Sequence, residues 1–453
     1  MSDQRHPAPP NLKVTARSIF AQALADCRID RAFDRMLRTS TDAHGTHLIL
    51  DSREILTLDR LKHVRIVSIG KAGAAMLTSL LSRLPLPPSC DLQGVLIAGE
   101  RPLNLPTTIQ HFPGGHPVPN EASFAGASAA LATVRAIAHA PANEALCIFL
   151  ISGGASAMME LPLDPTISLA DTVAFHQALV HSGASIVEIN CVRKHFSAVK
   201  GGRLALAAGN SQKISLLVSD VPPAHLDALA SGPTIADPTS VADCREIIAR
   251  YNLLDRFPQS VRRFLASPDL PETPKPGAFV SQSWKLLDSD ELARTAQAHA
   301  AGLGFHAVVD NTCDDWTCNA ATDYLLNRLR NLRREHPRVC LISTGEVTVQ
   351  IPTSVPGPAI GGRNQHLALY LATLLRPDDS PIAVLSAGSD GIDGNSDAAG
   401  AIIDEHTLDG VAPAAQHALA TFNSSSWLSA IGATVVTGPT GHNLRDLRIL
   451  LAT

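Results

Sequence analysis

The chain has 453 residues, of which 45% are hydrophobic and 17% charged, and its formal net charge is −5. This composition supplies enough apolar surface for a packed core and excludes a globally disordered chain, and the length suffices for two or three domains. The negative charge argues against nonspecific binding to nucleic acid or to an anionic membrane. A small anionic substrate is still compatible with it, because local charge decides that binding.

The eight cysteines are scattered along the chain, and several lie in apolar, strand-like segments, as Cys147, Cys191 and Cys340 do. Scattered apolar thiols are typical of a reducing cytosol rather than of a disulfide scaffold. Residues 1–10 are polar and proline-rich and lack the apolar segment of a signal peptide. No window has the roughly 18 uninterrupted apolar residues of a membrane span. We therefore expect a cytoplasmic protein with no membrane partner.

The hydrophobic pattern predicts helices and strands that alternate along most of the chain. Helical spacing covers residues 11–38, 122–139, 169–187, 291–301 and 320–334. Short apolar runs predict strands at residues 64–69, 94–98, 146–151, 214–219, 305–310, 339–343, 382–387 and 433–437, the last of them in the chain. Such alternation is typical of βαβ units and a mainly parallel sheet. Prolines crowd residues 258–276 and indicate a linker, so we predict two α/β lobes with a cleft between them.

Small and polar residues follow nearly every predicted strand, and this recurrence is the main functional signal. Gly70 and Gly73 flank Lys71 between a strand and a helix, where α/β proteins bind ligands and where a helix start favours an anion. Residues 152–156, Ser-Gly-Gly-Ala-Ser, follow another strand and could hold a carboxylate or phosphate through backbone N–H groups. The alternative for both stretches is an ordinary tight turn, with Lys71 solvated.

Cationic or titratable side chains cluster between residues 190 and 203, namely Arg193, Lys194, His195, Lys200 and Arg203. In a chain of net negative charge, this cluster favours an anion site over a solvated helix face. Gly201 and Gly202 support that interpretation, because paired glycines are unusual in an exposed helix.

Carboxylates follow three of the predicted strands, at Asp220, Glu346 and Asp390. Each could bind a divalent cation or accept a proton, and for Asp220 the alternative is a helix N-cap. Residues 357–363 form a glycine loop that enters a helix at Arg363, which suits phosphate oxygens. The histidines near these loops show no zinc-binding spacing.

Taken together, these segments resemble the class II glycerate kinases, the glycerate 2-kinase family with a C-terminal MOFRL domain. The matching blocks run in family order from about residue 60: Gly70-Lys71-Ala72, Gly115–Pro119, Ser152–Ala157, Val192–His195, Lys200–Leu204, Ser219–Val221, Ala230–Thr234, Gly362–Gln365, Asp390–Gly394 and Thr437–Gly441. The resemblance implies ATP- and Mg²⁺-dependent phosphorylation of D-glycerate on its 2-hydroxyl. It also implies a Rossmann-like domain over residues 1–245, a linker region over 246–285 and a smaller MOFRL-type α/β domain over 286–453. A homodimer is one candidate assembly.

The resemblance and the motifs together give the predicted site. The catalytic residues are Lys71, Arg363 and Asp220. The substrate-binding residues are Ser152, Gly153, Gly154, Ser156 and Arg203. The nucleotide-binding residues are Asn190, Lys194, His195, Lys200, Gly362, Asn364 and Gln365, and the metal ligands are Asp220, Glu346 and Asp390.

Three other functions compete with glycerate phosphorylation. A kinase for a related sugar acid would use the same machinery, and a non-catalytic metabolite-binding protein would not need the charged positions. An NAD(P)H-dependent hydroxypyruvate reductase would need a dinucleotide fingerprint, which Gly302-Leu303-Gly304 only approximates. That stretch follows a predicted helix and precedes a strand, the reverse of the required order.

Overall fold

The computed structural model describes residues 11–221, 223–352, 354–355 and 359–453, without the side chains of residues 223–225. Its α-helices are α1 (Leu12–Asp26), α2 (Ile29–Met36), α3 (Gly73–Leu81), α4 (Glu121–Arg135), α5 (Ala155–Met158), α6 (Leu169–Val180), α7 (Ile186–Phe196), α8 (Arg203–Ala207), α9 (Val241–Arg250), α10 (Gln259–Leu265), α11 (Ser289–Gly302), α12 (Cys318–Glu335), α13 (Arg363–Leu374), α14 (Ala412–Ala420) and α15 (Ser424–Ala430). Its strands are β1 (Leu37–Asp42), β2 (Gly45–Leu50), β3 (Arg53–Thr57), β4 (His63–Ile69), β5 (Asp91–Ile97), β6 (Ile109–Phe112), β7 (Ala145–Ser152), β8 (Gln212–Val218), β9 (Gln282–Leu287), β10 (His306–Val309), β11 (Val339–Gly345), β12 (Ile382–Gly388), β13 (Gly400–Asp404), β14 (Thr434–Val435) and β15 (Asp446–Ala452).

The chain forms two compact units. Residues 29–286 form the first, which we call the parallel-sheet unit, and residues 11–28 with 287–453 form the second, the mixed-sheet unit. This division differs from the predicted boundaries at 245 and 285. Helices α9 and α10 pack their buried faces into a hydrophobic cluster with α6 and α7, so most of the predicted linker belongs to the first unit. Helix α1 packs against α11 and β12, which places it in the second.

The parallel-sheet unit contains a six-stranded sheet in the order β6-β5-β4-β7-β8-β9. The strands from β6 to β8 pair in parallel, and all eight residues of β7 are buried, as expected for a sheet covered on both faces. The chain order reverses direction between β4 and β7, as in doubly wound folds. Ile69 pairs with Ile151, and Ser152 pairs with Val218, so β4, β7 and β8 end at one edge of the sheet. The predicted α/β class and the parallel sheet are therefore confirmed.

The same unit carries a separate antiparallel sheet, β1-β2-β3, which the sequence did not predict. Five of the six residues of β1 are exposed, so this strand has no apolar run to reveal it. The predicted helix over residues 169–187 is two helices, α6 and α7. Gly183 lies between them with φ of 81°, a left-handed backbone conformation that a continuous α-helix does not contain.

The mixed-sheet unit has the strand order β10-β11-β15-β12-β13-β14. Only β10 and β11 pair in parallel, and the remaining pairs are antiparallel. Strand β15 was not predicted, yet it lies inside the sheet between β11 and β12. The predicted last strand, residues 433–437, contains only the two-residue strand β14 at the sheet edge. No helix in the described part of the chain is both long and apolar enough to span a bilayer.

Candidate active site

Lys71 lies in the tight turn between β4 and α3, and hydrogen bonds fix this turn against the end of β7. The Lys71 N–H donates to the Gly153 carbonyl (3.0 Å), and the Ala72 N–H donates to the Ser152 hydroxyl oxygen (3.0 Å). The Ser152 hydroxyl donates in turn to the Ile69 carbonyl (3.2 Å). The buried Ser152 side chain therefore holds the turn in place and does not face a cavity.

The Lys71 side chain itself is exposed at the point where the strand order of the sheet reverses. Open α/β sheets bind ligands outside the carboxyl ends of their strands at such a switch point, because the flanking loops diverge there and leave a crevice. The turn that places Lys71 requires glycine at position 70. Its φ is 109°, and a Cβ there would overlap the Ser152 side chain.

A cavity of about 460 Å³ opens beside this turn in the parallel-sheet unit. Its lining includes His116, Gly154, Ser156, Val173, His176 and Arg193. Gly154 lies between the cavity residue His116 and Lys71. A Cβ on Gly154 would be 3.0 Å from His116 Cδ2 and 3.2 Å from Lys71 Cγ. Burial and the nearby Lys71 ammonium both lower the pKa of His116, so this imidazole is neutral near pH 7.

Ser156 is the predicted substrate-binding hydroxyl that does reach the cavity. Its Oγ lies 2.9 Å from the Ser231 Oγ, and the Ser231 hydroxyl donates to Asn190 Oδ1 (2.9 Å). Asn190 is 4% exposed and was predicted to bind nucleotide. In the structure it instead orients Ser231 and, through it, Ser156.

Three more residues predicted to bind nucleotide are buried and occupied by partners within the protein. Lys194 Nζ contacts Asp227 (2.7 Å) and Asp237 (3.3 Å). His195 Nδ1 lies 2.9 Å from the Cys191 carbonyl, and its side chain is fully buried. Lys200 is fully buried as well. Direct contact between these side chains and a nucleotide would require them to leave buried interactions, so the structure shows a structural role for them, and the nucleotide contact stays a prediction.

Lys200 belongs to a buried cluster with Glu160 and His176. Lys200 Nζ lies 2.5 Å from Glu160 Oε2, and His176 Nε2 lies 2.8 Å from the same oxygen. Burial alone would raise the pKa of Glu160, but Lys200 and His176 together outweigh it and hold that pKa well below its usual range. Burial lowers the pKa of His176, so the neutral ring donates to a permanently ionised Glu160.

We expect the Lys200→Met substitution to lower the free energy of unfolding by about 3–5 kcal/mol, because it leaves the Glu160 carboxylate buried without its cation. Urea unfolding measures this loss. The double variant Lys200→Met with Glu160→Gln removes both charges and should be markedly more stable than the single variant. Equal stability of the two variants would show that the ion pair does not set the cost.

Arg203 and Asp220 complete the predicted residues of this unit. Arg203 Nη2 donates to the carbonyls of Pro271 (3.3 Å) and Glu272 (3.2 Å), and Arg203 is not among the residues that line the cavity. Asp220 follows β8 and lies directly against the Gly153 backbone, since a side chain on Gly153 would overlap its carboxylate. The structure thus brings Lys71, Gly153, Gly154, Ser156 and Asp220 together and leaves Arg203 outside.

In the mixed-sheet unit, Arg363 begins helix α13 and lies over the edge where β11 and β12 end. Its Nε donates to Asp446 Oδ2 (2.6 Å), and its Nη2 contacts Asp446 Oδ1 (3.1 Å) and Glu346 Oε1 (2.8 Å). Burial opposes the charged form, but the two carboxylates more than offset it and raise the pKa of Arg363. No described residue engages Nη1, and Arg363 lines a cavity of about 640 Å³.

The start of α13 already holds an anion supplied by the protein. Asp393 Oδ1 accepts from the Asn364 N–H (3.1 Å), and its Oδ2 accepts from the Gln365 N–H (2.8 Å). Gly362 fits closely beneath this carboxylate, because a Cβ there would overlap it. Burial and the nearby Asp446 carboxylate raise the pKa of Asp393 to about 6. The backbone N–H groups of Asn364 and Gln365 are therefore engaged by Asp393. Of the loop predicted to suit phosphate oxygens, residues 357–358 lie outside the described residues.

Two of the three predicted metal ligands lie at one cavity of the mixed-sheet unit. Glu346 pairs with Arg363, and Asp390 accepts from the Ile392 N–H (3.1 Å), both at the 640 Å³ cavity. Asp220 belongs to the parallel-sheet unit. Across the described ranges, no three His, Cys, Asp or Glu side chains are arranged so that they could hold a metal ion among themselves.

Comparisons with known proteins cover most of the chain. Residues 15–266 match the family described as Domain of unknown function (DUF4147), and residues 339–446 match the MOFRL family. A D-glycerate 2-kinase from Thermotoga maritima is 33% identical over 408 residues, which span 88% of this chain and 92% of that protein. The chain belongs to the glycerate kinase family with a MOFRL domain. The resemblance inferred from the motifs is thereby confirmed.

Other members of the glycerate kinase family agree with the fold, although not all carry the same name. A crystal structure of a glycerate kinase from Thermotoga maritima matches with a TM-score of 0.80 and 30% identity, over 98% of this chain and 100% of that one. A putative hydroxypyruvate reductase from Agrobacterium vitis is 36% identical, over 85% of this chain and 86% of that protein.

Sequence reasoning on this glycerate kinase family member missed three residues that shape the two sites. His116 and Asp393 lie inside the matching blocks Gly115–Pro119 and Asp390–Gly394, but neither was assigned a role. Asp446 was missed altogether, because the strand that it begins was not predicted. The signal available for Asp446 was the apolar run that follows it, residues 449–452.

Proposed function

We propose that the protein is a glycerate 2-kinase, which transfers the γ-phosphoryl group of ATP to the 2-hydroxyl of D-glycerate. One observation carries this proposal: Lys71 lies at the switch point of the parallel sheet, beside a cavity that Gly154 and Ser156 line. Curated relatives named D-glycerate 2-kinase support the choice of substrate and position.

Phosphoryl transfer needs positioning and neutralisation of charge more than covalent help from the protein. We assign Lys71 to neutralise the transferring phosphoryl group from the parallel-sheet unit. Arg363 would contribute through Nη1, because Asp446 and Glu346 occupy its other side and fix its plane.

The reaction also needs an acceptor for the proton of the substrate hydroxyl as its oxygen bonds to phosphorus and the bond from phosphorus to the ADP oxygen breaks. We assign this role to Asp220, which lies against Gly153 in the same loop cluster as Lys71. Glu346 is less suited, because its carboxylate pairs with Arg363.

The cavity at Arg363 is suited to the nucleotide in two respects. Val347, Val349 and Ile351 give it an apolar wall, while Asp390 and Asp393 make its polar end acidic. An acidic end would repel phosphates unless a cation accompanied them. Mg²⁺ usually binds through one or two carboxylates together with phosphate oxygens and water, so the lack of a three-residue group in the described part of the chain is compatible with it.

We therefore propose Asp390 and Glu346, which line the 640 Å³ cavity of the mixed-sheet unit, as the residues that would hold Mg²⁺ there, while Asp220 keeps the role of proton acceptor. The ion would supply neutralisation of the phosphate charge when bound. Gly362 remains a proposed nucleotide contact at the cavity wall. The roles proposed for Asn364 and Gln365 are limited to their side chains, since Asp393 occupies their backbone N–H groups.

A coupled assay of ADP release over a panel of hydroxy acids tests the proposed function, with ³¹P NMR to fix the phosphorylated position. We expect D-glycerate to be the preferred acceptor and 2-phosphoglycerate to be the product. Preference for a four-carbon sugar acid would identify the related kinase, and ADP release that no acid stimulates would overturn the proposal. Light scattering on the purified protein tests the proposed homodimer.

The name of the Agrobacterium vitis relative keeps hydroxypyruvate reduction as a second candidate. The approximate fingerprint Gly302-Leu303-Gly304 follows α11 and precedes β10, the wrong order for a dinucleotide turn. We expect no oxidation of NADH or NADPH with hydroxypyruvate. Reductase turnover comparable to the kinase rate would favour the second candidate.

Gly154 offers a test of how closely the loop cluster is packed. We expect Gly154→Ala to lower kcat/KM for glycerate by about 10²-fold, because its Cβ would displace Lys71 and His116. Gly183→Ala is the matched control, since φ at Gly183 is 81° but no atom lies within 4 Å of its Cβ position. Both variants carry the same backbone strain. A similar loss of activity in both would mean that strain, and not the displaced side chains, is responsible.

A further inference from the structure

Arg193 is the member of the basic cluster for which the described residues provide no partner. It lies on α7, whose start is fixed by a capping box between Ser185 and Glu188. Its neighbours Lys194 and Lys200 are buried in ion pairs. The Arg193 guanidinium has no hydrogen bond or ion pair with any described residue, and its Nε is fully buried.

An unpaired, largely buried guanidinium is unfavourable, because its N–H donors lose their hydrogen bonds to water and form none within the protein. Burial lowers the pKa of Arg193, and the Glu160 carboxylate opposes this only from a distance. Glu160 is itself in contact with Lys200 and His176, so it does not serve as the missing partner. The unpaired donors border the 460 Å³ cavity, where a ligand could reach them.

We propose that Arg193 binds the carboxylate of the acceptor substrate and so restricts the enzyme to small 2-hydroxy acids. This inference rests on the proposed function. A guanidinium suits a carboxylate because it can donate two parallel hydrogen bonds to the two oxygens. Arg193 thus takes the carboxylate, and Lys71 is left to the transferring phosphoryl group.

The lining of the cavity fits such a substrate. Ser156 is held by its hydrogen bond with Ser231, so its hydroxyl has a fixed position at the wall. Gly154 connects the cavity to Lys71, which suits an acceptor whose hydroxyl lies one carbon away from its carboxylate. Val173 and Val180 form an apolar part of the wall, which offers no partner to a second charged group.

The test compares Arg193→Met with Arg262→Met, an exposed arginine on α10 that lies outside the cavity. We expect Arg193→Met to raise KM for D-glycerate and to lower kcat/KM by about 30- to 100-fold, with KM for ATP unchanged. Glyceramide, which carries a neutral amide in place of the carboxylate, should be a poor acceptor for the wild type and equally poor for the variant. Arg262→Met should match the wild type throughout.

Thermal unfolding separates substrate binding from a structural role. Without ligand, Arg193→Met should be at least as stable as the wild type, because it removes an unpaired buried charge. Added D-glycerate should stabilise the wild type but not the variant. Lower stability of the ligand-free variant, or an unchanged preference for glycerate over glyceramide, would overturn the inference. If the wild type phosphorylates no hydroxy acid, the proposed function itself fails, whatever the variant does.

Discussion

Replacing Lys71 with methionine should lower kcat/KM for ATP-dependent phosphorylation of glycerate by about 10³-fold. The substitution removes the ammonium group and leaves the turn intact, because main-chain atoms and Ser152 hold the turn in place. The side chain is exposed, so the free energy of unfolding should change by less than about 0.5 kcal/mol. The coupled ADP assay and urea unfolding measure the two quantities on the same preparation.

Lys62→Met is the matched control for this prediction. Lys62 is an exposed lysine that precedes the opposite end of the same strand, β4, where it pairs with Glu144 (2.9 Å). Its loss removes an equal charge from the same unit, yet activity should stay within about twofold of wild type, since exposed ion pairs contribute little. If the two variants keep similar activity, Lys71 has no role in the transfer step.

Replacing Arg363 with methionine should also lower kcat/KM by about 10³-fold, but with a large loss of stability. Asp446 is 1% exposed and would keep only the more distant Arg448 (4.0 Å) as a cation, so the loss of Arg363 costs about 3 kcal/mol. Arg363→Lys keeps the charge but not the fork that bonds both oxygens of Asp446, so it should recover part of the stability and little of the activity.

Arg330 gives the control that separates stability from activity. Its Nε and Nη2 donate to the two oxygens of Asp379 (2.8 and 2.7 Å), in the same unit but outside the 640 Å³ cavity. Arg330→Met should lower the free energy of unfolding in the same way while leaving kcat/KM near wild type at a temperature where the protein is folded. An equal loss of activity in both variants would indicate that destabilisation alone explains the Arg363 result.

The strands around Lys71 were predictable because they are buried on both faces and are mostly apolar in sequence, as β4 and β7 are. The edge sheet β1-β2-β3 was not, since β1 is almost entirely exposed. The order of the strands could not be read from periodicity, because pairing is decided by packing between distant segments. The switch point at Lys71 became visible only with that order.

The basic cluster shows a feature of the site that the sequence does not reveal, namely which of its charged side chains have partners within the fold. Its five cationic or titratable side chains look alike in the sequence, but the fold provides partners for most of them from distant segments. Glu160 pairs with Lys200, and Asp237 pairs with Lys194. Arg193 receives no such partner from the part of the chain that the structure describes, and this difference is not visible in the sequence. A run of charged residues therefore indicates a binding function only for those side chains that have no partner within the fold.

The position of β15 affects the order in which the two units fold during translation. Residues 446–452 form a strand hydrogen-bonded on both sides, to β11 and to β12, so the sheet has a gap until they emerge from the ribosome. Helix α1 is synthesised before β15 and packs against elements of that same unit. The parallel-sheet unit, residues 29–286, can form in the nascent chain while the apolar face of α1 is still uncovered. The complete packing site of α1 forms only after the residues between α1 and β15 have been synthesised.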